Sequence, residues 1–181
     1  MLVVAATQRE LELVHGTETL CCGIGPVEAA LATARRLAAE PRPGAILQIG
    51  IAGAEGLDPA ALVLGSESIY CDIVDPSSRL PRVERVEPDA ALLAAAADAL
   101  PEAHVLPIAT AGRVGGGNGW GVEAMEGFGV LRAAVLAGVP AVELRAISNA
   151  PGEADRARWR VDDALAALRD AVRRLLEALD A

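Results

Sequence analysis

Gly119-Trp120-Gly121-Val122-Glu123-Ala124-Met125-Glu126-Gly127-Phe128-Gly129, then a run of small residues, then Val139-Pro140-Ala141-Val142-Glu143-Leu144-Arg145-Ala146-Ile147-Ser148-Asn149: the reading of the chain turns on this stretch. The first part predicts a helix that carries Glu126 near its start, where glycines let a ligand approach the backbone closely. The second predicts a buried strand. Ligands in α/β sheets sit beyond the carboxyl ends of strands, so Asn149 is placed to meet one. Taken alone, an acid near a helix start also complements the helix dipole, and Ser-Asn after a strand also makes a turn.

Outward from there, apolar strand runs alternate with helical patterns. Leu2 to Ala6 reads as a buried first strand, and Thr7-Gln8-Arg9-Glu10 as a helix cap and first turn, which leaves Glu10 just beyond a strand end. Thr17 to Cys22 predicts a second strand. Gly23-Ile24-Gly25-Pro26 then opens a helix from Val27 to about Glu40, with Pro26 at its first position. A Gly-x-Gly turn at a helix start can receive an anion, but with no third glycine and no acidic partner the dinucleotide signature is incomplete, so NAD is rejected and no cofactor is expected. Ala45 to Ile49 predicts a strand leading into Gly50-Ile51-Ala52-Gly53, read as a glycine turn that lines a pocket or simply turns the chain.

Leu62 to Ile73 is strand material, Asp75 to Pro88 a surface loop or irregular hairpin, Asp89 to Leu100 a helix, and His104 to Thr110 a strand. Ala111 to Gly119 is the most flexible-looking stretch, able to close over a ligand or merely to link its neighbours. Trp159 precedes a last amphipathic helix, Asp162 to Leu179, and either packs on it or walls a ligand. This alternation predicts a single α/β domain over 1–181, a three-layer α/β/α sandwich with a mixed central sheet.

A formal net charge of −9 argues against sequence-independent nucleic-acid binding, which needs Lys and Arg to neutralise phosphates. It favours a small-molecule ligand. The apolar N-terminal run lacks a basic flank and stops at Arg9-Glu10, too soon for a signal peptide or a membrane span, so the expected location is cytoplasmic. Cys21, Cys22 and Cys71 lack metal spacing, and a buried structural role is expected of them; His15 and His104 lack companions at ligand spacing, so no metal is expected.

Five landmarks coincide in order: Ala6-Thr7-Gln8-Arg9-Glu10, Gly23-Ile24-Gly25-Pro26, Gly50-Ile51-Ala52-Gly53, Val122-Glu123-Ala124-Met125-Glu126 and Arg145-Ala146-Ile147-Ser148-Asn149. Together they resemble the nucleoside phosphorylase and nucleosidase superfamily over nearly the whole chain except roughly 70–118. The resemblance implies a nucleoside phosphorylase-like fold. It also implies Glu10 as general base, with Met125 under the ribose and Glu126 on its hydroxyls. Methylthioadenosine nucleosidases carry an aspartate after Arg-Ala-Ile-Ser; here the position is Asn149. An amide offers a donor and an acceptor at once, which suits a 6-oxopurine with its N7 and O6 acceptors.

Ser148-Asn149 through Asp155-Arg156-Ala157-Arg158-Trp159-Arg160 further resembles the futalosine hydrolases of that superfamily, which release hypoxanthine from futalosine in menaquinone biosynthesis. That resemblance implies Trp159 as a pocket-wall aromatic, and Arg113, Arg156 or Arg158 as partners of the substrate's carboxylate tail. Ile51 is apolar where phosphorylases commonly carry a small hydroxyl residue, and no arginine is assignable to phosphate, which favours hydrolysis. The expected activity is therefore N-glycosidic cleavage of a nucleoside substrate. The alternatives are a methylthioadenosine nucleosidase, a purine nucleoside phosphorylase, or an inert nucleoside-binding scaffold. Pockets of the family are commonly completed between subunits, which implies a homo-oligomer.

Overall fold

The computed structural model describes residues 1–12, 14–75, 77, 79 and 81–179. In chain order the elements are β1 (Leu2–Ala5), α1 (Gln8–Leu11), β2 (Glu18–Cys21), α2 (Pro26–Leu37), β3 (Ile46–Ala54), β4 (Leu62–Tyr70), β5 (Arg85–Val86), α3 (Ala90–Ala99), β6 (His104–Thr110), β7 (Val122–Ala124), α4 (Gly127–Ala137), β8 (Ala141–Asn149) and α5 (Val161–Leu179), with one 3-10 turn at Arg156–Arg158 before α5.

The sheet is mixed, as expected. β1 lies parallel between β2 and β3, and β3 is parallel to β8 along its length. β8 then meets β4 antiparallel, β4 is parallel to β6, β6 to β7, and β7 returns antiparallel to β3. Five strands thus close on themselves, a feature that alternation of helix and strand does not foretell.

Side-chain alternation along the strands sends successive residues to two faces. Val3 and Ala5 of β1, Leu47 and Ile49 of β3, and Val142, Leu144 and Ala146 of β8 pack with α3 and α5. On α5 the buried Leu165, Leu168, Val172 and Leu175 recur at helical spacing and supply the covering stripe. Leu2, Val4 and Ile46 face the other way and pack under α2 and α4. These are the two outer layers of the expected sandwich.

Several expectations need correction. The Gly50–Gly53 segment is no turn: β3 runs through it to Ala54. Its glycines serve close approach, since a Cβ at Gly50 would overlap the Arg145 guanidinium and one at Gly53 would stand 3.0 Å from the Asn149 amide nitrogen. Glu126 is the N-cap of α4 and lies just outside it, and the short strand β7 precedes it unforeseen. Cys21 is exposed, because its neighbour Cys22 takes the buried side of the chain. The Asp75–Pro88 segment contains β5, which pairs with β4 as an irregular hairpin; Pro76, Ser78 and Leu80 lie outside the described residues. No helix among the described residues is long and apolar enough to cross a membrane.

Candidate active site

A cavity of about 560 Å³ opens at the carboxyl ends of β1, β3 and β8, where the sheet gives way to loops. Glu10, Ile51, Met125, Glu126, Asn149 and Trp159, drawn from separate parts of the sequence, all line it.

Glu10 is fixed by the cap that the sequence announced. The Thr7 hydroxyl accepts from the Glu10 N–H, while the Thr7 N–H and hydroxyl both donate back to Oε2, at 3.0 and 2.8 Å. The Ile51 N–H donates to Oε1 at 3.2 Å. Ile51 thus contributes its backbone to Glu10 as well as its side chain to the cavity wall. The carboxylate is 6% exposed and locked in one orientation.

Glu126 sits where the first turns of two helices converge. The Gly25 N–H, at the start of α2, donates to its Oε1 at 3.1 Å, so the anion received by the Gly23-Ile24-Gly25 turn is the protein's own carboxylate. Arg145 reaches its Oε2 through Nη1 at 3.3 Å and Nη2 at 3.4 Å. The same guanidinium donates through Nε to Glu143 at 2.9 Å, and Glu143 in turn accepts from the Ser68 hydroxyl. Burial pushes the Glu126 carboxyl above the usual range; Arg145 and the Gly25 N–H pull it back, and Glu10 and Glu143 push it further up. Burial first, and the Glu126 charge second, raise the neighbouring Cys22 thiol to about 12, which leaves it no nucleophilic character at neutral pH.

Sequence reasoning gave Arg145, Glu143 and Glu123 no role. The signal for the first two was present: charged residues two apart on one face of an otherwise apolar, fully buried strand require partners. Glu123 is buried in β7 and accepts backbone N–H bonds from Gly115 and Gly117. Nothing in the local pattern separates it from a surface acid.

At the end of β8 the Asn149 oxygen accepts from the Ser148 hydroxyl at 2.7 Å, and its amide nitrogen donates to the Ala150 carbonyl at 2.8 Å. The Trp159 indole N–H donates to the Glu153 carbonyl at 3.0 Å, and Trp159 lines the cavity together with Val161 and Leu165 of α5. Of the two roles expected of it, the wall of the cavity is the one its position serves. Arg156 lies over that ring, 4.6 Å from its centroid. Arg113 and Arg156 line the cavity without a carboxylate partner among the described residues, whereas Arg158 is paired with Glu153 at 2.9 Å and is not on the wall. Arg9, also on the wall, is paired with Asp162.

A family model described as the phosphorylase superfamily matches residues 14–181. The futalosine hydrolase of Streptomyces coelicolor is 60% identical over 58 residues, 32% of this chain and 25% of that protein. The futalosine hydrolase of Thermus thermophilus is 52% identical over 59 residues, 32% of this chain and 26% of that protein. The match thus spans about a quarter of the length of either relative. Among solved structures, the 5′-methylthioadenosine/S-adenosylhomocysteine nucleosidase of Neisseria meningitidis in complex with methylthio-immucillin-A superposes with a TM-score of 0.84 over 97% of both chains at 22% identity.

Proposed function

We propose that this chain, which belongs to the phosphorylase superfamily, acts as one domain that hydrolyses the N-glycosidic bond of a 6-oxopurine nucleoside. The substrate we favour is futalosine, released as hypoxanthine and the base-free sugar derivative. The observation that carries this reading is the convergence of two buried carboxylates, Glu10 and Glu126, with the Asn149 amide around one cavity.

Each group then has a task. Glu10, oriented by Thr7 and Ile51, holds and deprotonates a water at the anomeric carbon. Glu126 accepts from the ribose hydroxyls, and its negative charge favours the cationic character that develops on the sugar. Met125 and Ile51 pack against the sugar, and Trp159 walls the ligand. Asn149 commits one amide hydrogen to Ala150, and its second serves a purine acceptor as negative charge leaves on the base. The nucleophile end favours water over phosphate, because the Glu10 carboxylate there repels an anion and the cavity arginines Arg9 and Arg145 are already paired.

Chromatography of the purine released from futalosine, inosine and methylthioadenosine, each with and without phosphate, tests the reading. The expected result is hypoxanthine from futalosine without phosphate. Adenine from methylthioadenosine as the preferred product, or dependence on phosphate, would replace it, and no release from any of the three would leave an inert binding protein.

Arg113 and Arg156 are the two of the three sequence candidates that fit the substrate's carboxylate tail, because both line the cavity and neither has a carboxylate partner among the described residues. Replacing both by alanine is expected to raise KM for futalosine by about 10-fold, the order of one charged hydrogen bond, while inosine, which has no such tail, keeps its KM. Equal effects on the two substrates would remove the arginines from tail recognition. Ile24, in the turn before α2, and Val27 and Leu31 on α2 are 62–64% exposed apolar residues, and Ile24 also lines the cavity, which supports a homo-oligomer with the cavity near the contact. A cytoplasmic location remains part of the proposal.

A further inference from the structure

Two loops bound the cavity, and one carboxylate joins them. The first loop follows β6 and brings Arg113 and Val114 to the wall; the second follows β8 and lies between Asn149 and Trp159. They touch backbone to backbone: a Cβ at Gly115 would stand 2.9 Å from the Gly152 Cα, and both glycines have positive φ, 73° and 72°. Among the described residues no hydrogen bond runs directly from one loop to the other. The tie is Glu123, which is 7% exposed and itself lines the cavity. Its Oε1 accepts from the Gly115 N–H at 2.8 Å and the Gly152 N–H at 3.4 Å, and its Oε2 from the Gly117 N–H at 3.0 Å.

The rest of the fold holds Glu123 still. Its strand, β7, pairs with β3 at Gly53 and with β6 at Ala109, so the carboxylate stands on the closed ring of strands while the loops hang from it. A carboxylate only accepts, which matches three N–H donors; an amide of the same shape would turn its own NH₂ toward some of them.

We propose that Glu123 is a positioning residue that clasps the two loops together and thereby sets the width of the cavity between Arg113 and Val114 on one side and Asn149 and Trp159 on the other. This rests on the reading of the cavity as a nucleoside site. Glu123 acts on the substrate through the walls it spaces, so its removal weakens binding more than it slows chemistry.

The test is steady-state kinetics of Glu123→Gln and Gly115→Ala with the nucleoside that the wild-type chain hydrolyses, beside amide hydrogen exchange. Both variants are expected to raise KM about 10- to 100-fold, the cost of leaving buried donors unmatched or the loops pushed apart, while kcat falls by less. Exchange at Gly115, Gly117 and Gly152 should accelerate about 10-fold or more in Glu123→Gln without a matching change in the core of α5. An unchanged KM, with activity lost only in proportion to lost folded protein, would overturn the clasp and leave Glu123 a purely structural acid. Should the wild-type chain release no purine from any nucleoside, the functional reading fails separately. The clasp then stands or falls on amide exchange, where unaltered rates at the three glycines overturn it.

Discussion

Glu10→Gln is expected to lower turnover by about 10²- to 10⁴-fold, the range that a positioned base contributes, with KM close to that of the parent chain. The substitution preserves size and most contacts. An amide oxygen directed at Thr7 still accepts from its N–H and hydroxyl, and the Thr7 hydroxyl still caps the N–H of position 10. The loss falls at Ile51, whose N–H would face an NH₂ group where Oε1 now accepts. One mismatched buried donor costs about 1–3 kcal/mol, so a lower melting temperature is expected but a folded protein remains. Rates measured well below that temperature separate chemistry from stability. Turnover within a few-fold of the parent, in a variant shown to be folded, would mean that another group activates the water.

Much of this site was legible because its parts announce themselves locally. Thr7 and Glu10 have the spacing of a capping box, the Pro26 helix starts where its proline says, and β6 and β8 are apolar runs that end at their turn residues. What was not legible is what depends on pairing between distant segments. Gly50 and Gly53 look like turn residues, and only the arrival of Arg145 and Asn149 beside them explains why a strand must be glycine there. β7 is three residues long and carries Glu123 at its centre; its partners β3 and β6 hold it in place, beyond the reach of any local pattern. Side-chain alternation puts Cys21 and Cys22 on opposite sides of the chain, but which side is covered depends on the layers packed there, and Cys21 takes the exposed one. Glu143 and Arg145 were visible as charges in an apolar strand, but their partners come from β4 and from the α4 cap, and the sequence does not say that those meet.

Arg145→Leu should be the most damaging single change to both stability and activity. The guanidinium is fully buried and stands between Glu126 and Glu143, so a leucine leaves two buried carboxylates with no cation between them. Breaking a buried ion pair from one side costs about 3–5 kcal/mol. The loss should depend on pH with a definite sign. The Glu126 carboxyl is already raised above its unfolded value, so the stability gained by protonating it is present below about pH 4.5 and is lost as pH rises through the folded value. Arg145 is what pulls that carboxyl down; without it the folded value climbs further and the window of lost stability widens toward neutral pH. Chemical denaturation at pH 5 and pH 8 should therefore show a larger deficit at pH 8, while the parent chain changes less. An equal deficit at both pH values would mean that Arg145 contributes packing and not charge. Arg145→Lys keeps the cation but loses the fork that serves Glu126 through Nη1 and Nη2 and Glu143 through Nε. It should recover most of the pH 8 stability and little of the turnover, because the carboxylate proposed to grip the ribose would be neutralised yet no longer aimed.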